Sequence, residues 1–120
     1  MLIHQVAKES NLPIATIRYY EKYGLIKGKK KAGKTTNNYS LYDDEVLEKL
    51  ELIIAAKQVG FSLAEIKALL DSWYNKRFTK QKKIQLLNDR LAFIDNKILQ
   101  LNEMKQQIRV FIQEVSEYDC

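Results

Sequence analysis

The chain is poor in the residues that build disulfides, metal clusters and catalytic centres. Its 120 residues contain one cysteine and one histidine. A single cysteine excludes a disulfide within the chain and a thiolate metal cluster within one subunit. No group of carboxylate, histidine or cysteine side chains has a spacing suited to acid–base, nucleophilic or metal chemistry. We therefore expect no enzyme, no cofactor and no metal site, and Cys120 is the one thiol that two subunits could combine.

Long apolar runs are missing as well. No stretch approaches the roughly 20 apolar residues that cross a bilayer. The first residues also lack the basic and then apolar pattern of an export signal. We therefore expect a small cytoplasmic protein with no membrane partner.

Proline and glycine are scarce, with one and four residues, so their positions divide the chain clearly. Apolar residues from Leu2 to Ala7 recur at helical spacing, and Ser10-Asn11-Leu12-Pro13 then breaks the pattern. Asn11 tolerates a left-handed backbone, and Pro13 suits the opening of a helix because it has no amide hydrogen to leave unpaired. Two short helices with a tight turn predict a helix-turn-helix, whose second helix usually enters the major groove of DNA.

The second predicted helix separates an inner face from a polar outer face. The inner face would comprise Ile14, Ile17, Glu21 and Leu25. The outer face would comprise Arg18, Tyr19 and Lys22. Arginine can neutralise a phosphate or bind a guanine edge, and tyrosine hydroxyls can donate to phosphates. This face is therefore a candidate nucleic-acid contact, the alternative being an ordinary core helix with surface charge.

Positive charge is concentrated in the same third of the chain. Residues 1–42 contain eight Lys or Arg against two Glu, a net charge of +6, whereas the whole chain carries +5. Such a concentration is typical of phosphate binding, and a solvated charge run is the alternative. Residues 27–42 add Gly, Thr and Asn followed by an alternating Tyr39-Ser40-Leu41-Tyr42, which predicts a basic hairpin, or wing, beside the second helix.

These motifs resemble the MerR family of bacterial transcription regulators over about the first 72 residues. The specific match is Thr16-Ile17-Arg18-Tyr19-Tyr20-Glu21 followed by Gly24-Leu25-Ile26. A further match is Val59-Gly60-Phe61-Ser62-Leu63-Ala64-Glu65-Ile66. The resemblance implies a mainly α fold with an N-terminal winged helix-turn-helix, a second helix pair and a long helix in an antiparallel coiled coil. It also implies a homodimer that bends and untwists promoter DNA, with RNA polymerase as a further partner.

The predicted DNA contacts follow from the motifs and the resemblance together. They are Thr16, Arg18, Tyr19, Tyr20, Lys22, Lys30, Lys31, Lys34 and Tyr39. For one of the two adjacent tyrosine rings an inward position stays open. The wing departs from the family pattern, because Asn38-Tyr39-Ser40 stands where the family often has Gly-Tyr-Arg, and lysines would replace the missing arginine.

The second helix pair has its own start signals. Acidic residues Asp43-Asp44-Glu45 favour the positive end of a helix, and Ser62 with Glu65 three residues later forms a capping-box pattern. We expect a DNA-binding domain over residues 1–72, a linker over 73–78, a dimerisation helix over 79–116 and a tail over 117–120.

The long helix is predicted from a stretch without Gly or Pro, Thr79 to Ser116. Its apolar heptad comprises Ile84, Leu87, Leu91, Ile94, Ile98, Leu101, Ile108, Ile112 and Val115, and Lys105 interrupts it. A helix of roughly 55 Å is too long to bury this stripe against so small a domain, so we expect a dimer. An intramolecular helical hairpin is the alternative, although the stretch offers no turn. The heptads do not distinguish a parallel from an antiparallel pair.

Three competing functions remain at this point. An effector-independent repressor or architectural protein would use the same DNA contacts, and a coiled-coil adaptor would leave the basic first third unexplained. An enzyme fits least. The family's metal-responsive members place cysteines around the long helix, whereas this chain has only Cys120, and we expect no separate effector domain. The effector is therefore unknown.

Overall fold

The computed structural model describes residues 1–30 and 40–118. Within them the chain forms five helices and a two-stranded sheet, which confirms the mainly α fold. The elements are α1 (Ile3–Ser10), α2 (Ile14–Lys22), β1 (Lys29–Lys30), β2 (Ser40–Leu41), α3 (Asp44–Gln58), α4 (Leu63–Trp73) and α5 (Lys80–Tyr118).

The chain separates into two compact units, Met1–Arg77 and Phe78–Cys120. We call the first unit the head. The finer division predicted from the sequence, with a linker over 73–78 and a tail over 117–120, stays a prediction. None of the helices in the described part of the chain is long and apolar enough to cross a membrane.

The turn between α1 and α2 follows the local sequence. Asn11 has a φ of 60° and a ψ of 31°, the left-handed conformation that a short polar side chain tolerates. The amide of Leu12 donates to the carbonyl of Ala7 at 3.2 Å, which closes the end of α1. Pro13 follows in an extended conformation and α2 begins at the next residue. The predicted helix-turn-helix is confirmed.

The predicted inner face of α2 is wrong for Ile14, and its Leu25 is buried from outside the helix. Ile14 is 37% exposed because it lies in the first turn of the helix, at the edge of the core. Leu25 is buried, but from beyond the helix, which ends at Lys22. Gly24 lets the chain turn back toward the core before Leu25, because it has a φ of 79°, a backbone conformation that residues with a Cβ rarely adopt.

In the described part of the head, four helices supply the fully buried side chains. These are Val6 of α1, Ile17 of α2, Leu50 and Ile53 of α3, and Ile66 of α4. Helix α1 packs against both α2 and α3, and α3 packs against α4. The core thus fixes α2 against α1, while the face of α2 opposite Ile17 stays open to solvent.

The start signals of the second helix pair are confirmed. A carboxylate oxygen of Asp43 accepts from the amide of Val46 at 3.3 Å. At α4 the amide of Glu65 donates to the Ser62 hydroxyl at 3.2 Å, and the amide of Ser62 donates to Glu65 at 2.9 Å. Both bonds of a capping box are therefore present.

Helix α5 has a different character. Its 39 residues form an unbroken helix of about 58 Å, and none of its described side chains is buried. The nine heptad residues predicted for dimerisation are between 36% and 60% exposed. A regular and exposed apolar stripe therefore runs along the helix.

Candidate nucleic-acid interface

The outer face of α2 presents two cations and two aromatic rings. Arg18 and Lys22 are exposed, and Tyr19 and Tyr23 are 43% and 50% exposed. The ring centroids of Tyr19 and Tyr23 lie 4.7 Å apart at 57°, and Lys22 Nζ lies 5.9 Å from the Tyr23 ring. We call these four residues the α2 contact surface. Contact between the rings limits their freedom, so they form a partly ordered platform next to the positive charge of Lys22.

Tyr23 is the one residue of the α2 contact surface that is absent from the sequence prediction. It lies just beyond the last residue of α2, where a contact residue is harder to recognise than inside the helix. Its spacing of four from Tyr19 is the signal that could have identified it, because residues four apart are neighbours on a helical surface.

The structure corrects the prediction that Tyr20 contacts DNA. Only 4% of Tyr20 is exposed, so its ring belongs to the core of the head rather than to the contact surface. It lies edge-on to Tyr19, with ring centroids 6.0 Å apart, and thus packs against the exposed Tyr19 ring from the core side. Thr16, one turn earlier than Tyr20, is half-buried.

The base of the hairpin lies beside α2. Strands β1 and β2 are antiparallel, with Lys29 opposite Leu41 and Lys30 opposite Ser40. Lys27 and Lys29 are exposed there and were not among the predicted contacts. The structure describes the backbone of Lys30. Three other predicted contacts, Lys31, Lys34 and Tyr39, lie outside the described residues.

One carboxylate joins α2 to both sides of the hairpin base. The amide of Gly28 donates to Glu21 Oε1 at 3.2 Å, and the hydroxyl of Tyr42 donates to Glu21 Oε2 at 2.7 Å. Gly28 precedes β1 and Tyr42 follows β2, so Glu21 holds the two ends of the hairpin at a fixed position on α2. We call this arrangement the Glu21 clamp.

The clamp changes the acidity of Tyr42. Burial, the hydrogen bond to Glu21 and the negative charge of Glu21 together raise the pKa of Tyr42 to about 12. A hydrogen bond with Ser40 and the positive charge of Arg18 act in the opposite direction. At neutral pH the phenol therefore stays protonated and keeps donating to the carboxylate. Arg18 lines the same concave surface as Glu21 and Tyr42.

Gly28 leaves room for the clamp. A Cβ at this position would lie 2.8 Å from Ser40 Cβ, 2.8 Å from Tyr42 Cε1 and 3.1 Å from Glu21 Oε1. The first two distances are shorter than carbon atoms tolerate. The close approach of the two hairpin strands to α2 thus depends on the missing side chain.

Arg18 also lines a concave surface with residues of two other elements, His4 of α1 and Ser40 of β2. Three elements therefore bring a cation and polar groups to one place on the head. Within residues 1–30 and 40–118, no group of three His, Cys, Asp or Glu side chains could hold a metal ion. Cys120 lies outside the described residues.

A helix-turn-helix with an antiparallel hairpin fixed to its second helix, and a cationic and aromatic outer face, defines the class of winged helix-turn-helix DNA-binding proteins. Comparison with known families narrows this class. Residues 1–73 match the family described as MerR HTH family regulatory protein, and residues 47–110 match the one described as MerR, DNA binding. The chain belongs to the MerR family, which confirms the resemblance, and it is a DNA-binding transcription regulator of that type.

Three individual proteins that are similar to this chain support the family assignment. The HTH-type transcriptional regulator YfmP of Bacillus subtilis is 33% identical, with 91% of this chain and 88% of YfmP covered. A probable heavy metal-dependent transcriptional regulator of Haemophilus influenzae is 36% identical, with 91% and 83% covered. The crystal structure of the N-terminus of MtaN, a multidrug transporter activator of B. subtilis, is similar with a TM-score of 0.74 at 29% identity. The match covers 93% of this chain and 97% of the MtaN chain.

Proposed function

We propose that the protein binds promoter DNA as a homodimer and places the α2 contact surface of each head in the major groove. The observation that carries this proposal is the Glu21 clamp, which joins an exposed set of cations and aromatic rings to the base of a basic hairpin. A helix and a hairpin held together present their contacts in one fixed arrangement, which lowers the ordering cost of binding.

Each residue of the surface has a role in this proposal. Arg18 binds a base edge or a phosphate, and Lys22 binds a phosphate. Tyr19 and Tyr23 donate to the DNA backbone and cover its sugars. The proposed supporting contacts are Thr16, Lys30, Lys31, Lys34 and Tyr39. The exposed Lys27 and Lys29 are added at the hairpin base, and the buried Tyr20 is left out.

The dimer is proposed from α5. Its seam, the heptad positions from Ile84 to Val115, is apolar at every position but Lys105. Fully burying one such side chain stabilises by about 1.5–3 kcal/mol, so covering the seam with a second α5 offsets a large association cost. A twofold dimer then presents two heads to a pseudo-palindromic site.

The residues that flank the seam favour an antiparallel pair. One flank changes character along the helix, from Lys83, Arg90 and Lys97 to Met104, Phe111 and Tyr118. In an antiparallel pair this flank lies against the same flank of the partner, which runs in the opposite direction. The cations of one helix therefore face the methionine and aromatic residues of the other. The other flank is polar throughout, with Asn88, Asp95, Asn102, Arg109 and Ser116. In a parallel pair the two different flanks would meet, and Phe111 would face polar side chains.

We further propose that the dimer bends and untwists a promoter so that RNA polymerase can engage elements that are otherwise too far apart. Such a deformation costs on the order of several kcal/mol and is offset by backbone contacts from two heads. The protein would work in the cytoplasm, where promoter DNA is, and without catalytic activity. Its relatives respond to different signals, so no effector is transferred to this chain.

The first experiment selects genomic DNA fragments with the purified protein and titrates the best site at two salt concentrations. We expect a pseudo-palindrome between promoter elements. Enrichment of no motif, with steep salt dependence, would overturn sequence-specific binding and leave an architectural role.

The same titration tests the surface. Arg18→Ala should weaken binding by about 1–3 kcal/mol, whereas Lys57→Ala, which removes an exposed cation at the far end of α3, should have little effect. Tyr23→Ala should weaken binding and Tyr74→Ala should not. An unchanged dissociation constant for Arg18→Ala at fixed salt would remove Arg18 from the interface.

A further inference from the structure

Lys105 is the polar residue that interrupts the seam of α5, and no described residue of the chain pairs with it. Among the described residues, neither Lys105 nor Asp95 makes a side-chain hydrogen bond or ion pair. Both side chains are exposed. Asp95 lies on the polar flank, next to the seam residue Ile94. An unpaired lysine at a seam position reduces the stability of a coiled coil, unless a charge on the second helix compensates for it.

A fully overlapped antiparallel pair provides that charge. Full overlap places Ile84 opposite the partner's Val115 and Leu91 opposite the partner's Ile108. The same register places Lys105 opposite the partner's Ile94. The next residue along the second helix is the partner's Asp95, on the same side of the seam as Lys105. The long lysine side chain can reach this carboxylate while its methylene groups stay packed on the seam.

Other arrangements lose this pairing. A slip of one heptad in either direction moves Lys105 opposite the partner's Leu87 or the partner's Leu101. The neighbouring flank residue then becomes the partner's Asn88 or the partner's Asn102, neither of which is charged. A parallel pair in register is worse, because Lys105 would face the partner's Lys105 across the seam.

We propose that Lys105 and the partner's Asp95 form an ion pair, made twice in each dimer, that fixes the register of the α5 coiled coil. The proposal rests on the dimer of the proposed function and specifies how its two helices align. A polar residue at a single seam position is an established way to specify the register of a coiled coil at some cost in stability. The pair therefore acts by disfavouring the slipped dimers.

Charge reversal tests the pair. In the full chain at low salt, Lys105→Glu and Asp95→Lys should each raise the dimer dissociation constant about tenfold, since two pairs per dimer become repulsive. The double variant Lys105→Glu/Asp95→Lys restores opposite charges and should return to within about threefold of the unmodified protein. The control is Lys105→Glu/Glu103→Lys, because Glu103 lies on the outer face of α5 and should not rescue. Sedimentation equilibrium gives each constant.

A crosslinking experiment reads the register directly. In a Cys120→Ser background, Leu91→Cys protein is mixed with Ile108→Cys, Leu101→Cys or Val115→Cys protein and treated with a short bismaleimide. We expect Leu91→Cys to crosslink to position 108. In the Lys105→Glu protein we expect it to crosslink to positions 101 and 115 as well.

The outcomes separate the two proposals. A dimer in which the double reversal gives no rescue, or in which Leu91→Cys reacts mainly with position 101 or 115, overturns the ion pair and leaves the dimer standing. A protein that sediments as a monomer at micromolar concentration overturns the dimer of the proposed function as well.

Discussion

The head and α5 bury their apolar residues in opposite ways. Among the described residues, the head buries thirteen apolar side chains from its helices and loops, whereas α5 buries none along 39 residues. Both regions have apolar residues at regular helical spacing, so the pattern alone does not distinguish them. The difference is length and surroundings: short helices with turns between them can fold onto each other, and a single long helix without a turn can only cover its stripe with another chain.

The largest expected effect comes from breaking the seam. Leu91→Glu with Ile98→Glu places four charges in the dimer where four apolar side chains would each contribute about 1.5–3 kcal/mol. The dimer dissociation constant should rise by at least about a thousandfold, and operator binding should disappear with it while the head stays folded. Leu99→Glu with Val110→Glu is the matched control, because both side chains are exposed but lie outside the seam. Retained dimerisation of the seam variant by sedimentation would refute the heptad assignment.

The converse change weakens the head and leaves α5 alone. Ile53 is completely buried, so Ile53→Ala should lower the free energy of unfolding of the head by about 2–5 kcal/mol. Ile14→Ala, at a site that is 37% exposed, should cost far less. Urea titrations followed by the fluorescence of Trp73 measure both. Equal losses in the two variants would contradict the assigned core.

The Glu21 clamp predicts a pH effect confined to the head. The pKa of Tyr42 is raised to about 12 in the folded protein, so the folded state holds this proton more tightly than the unfolded chain. The resulting stability is complete below about pH 10 and is lost as the pH rises to about 12, a loss on the order of 2–3 kcal/mol.

Urea titrations across this range, with Tyr42→Phe as the control, isolate the contribution of Tyr42. Glu21→Gln should lower the pKa of Tyr42 because the charge and its hydrogen bond are lost, whereas burial keeps it above 10. An equal loss of stability in the Tyr42→Phe protein would assign the effect to other groups.

The smallest effect concerns a helix start. Ser62→Ala removes the hydroxyl that accepts from Glu65 and should lower the stability of the head by about 1 kcal/mol. Ser72→Ala is the control, because Ser72 donates to Ala68 within α4 and caps no helix start. Thermal unfolding of both variants would show whether the capping box contributes as expected.

Features encoded by neighbouring residues could be predicted from the sequence. The left-handed Asn11, the capping box at Ser62 and the long uninterrupted α5 each depend on residue types and spacings within one or two turns. The MerR resemblance, carried by a short run on α2, added the function and the paired helix.

Features that depend on distant residues could not be predicted. Glu21 was assigned to the inner face from helical spacing, but its position is explained by Tyr42, which lies 21 residues away and donates to it. The inward ring of Tyr20 and the exposed Ile14 depend on where the other helices of the head pack, which helical spacing within α2 does not contain.

The unbroken α5 has one more consequence, for the spacing of the DNA sites. In a dimer joined along this seam, a slip of one heptad moves one helix along the other by about 10 Å. The same distance corresponds to about three base pairs of DNA. In the proposed dimer, the register of the two α5 helices therefore contributes to the separation of the half-sites, through residues that contact no base.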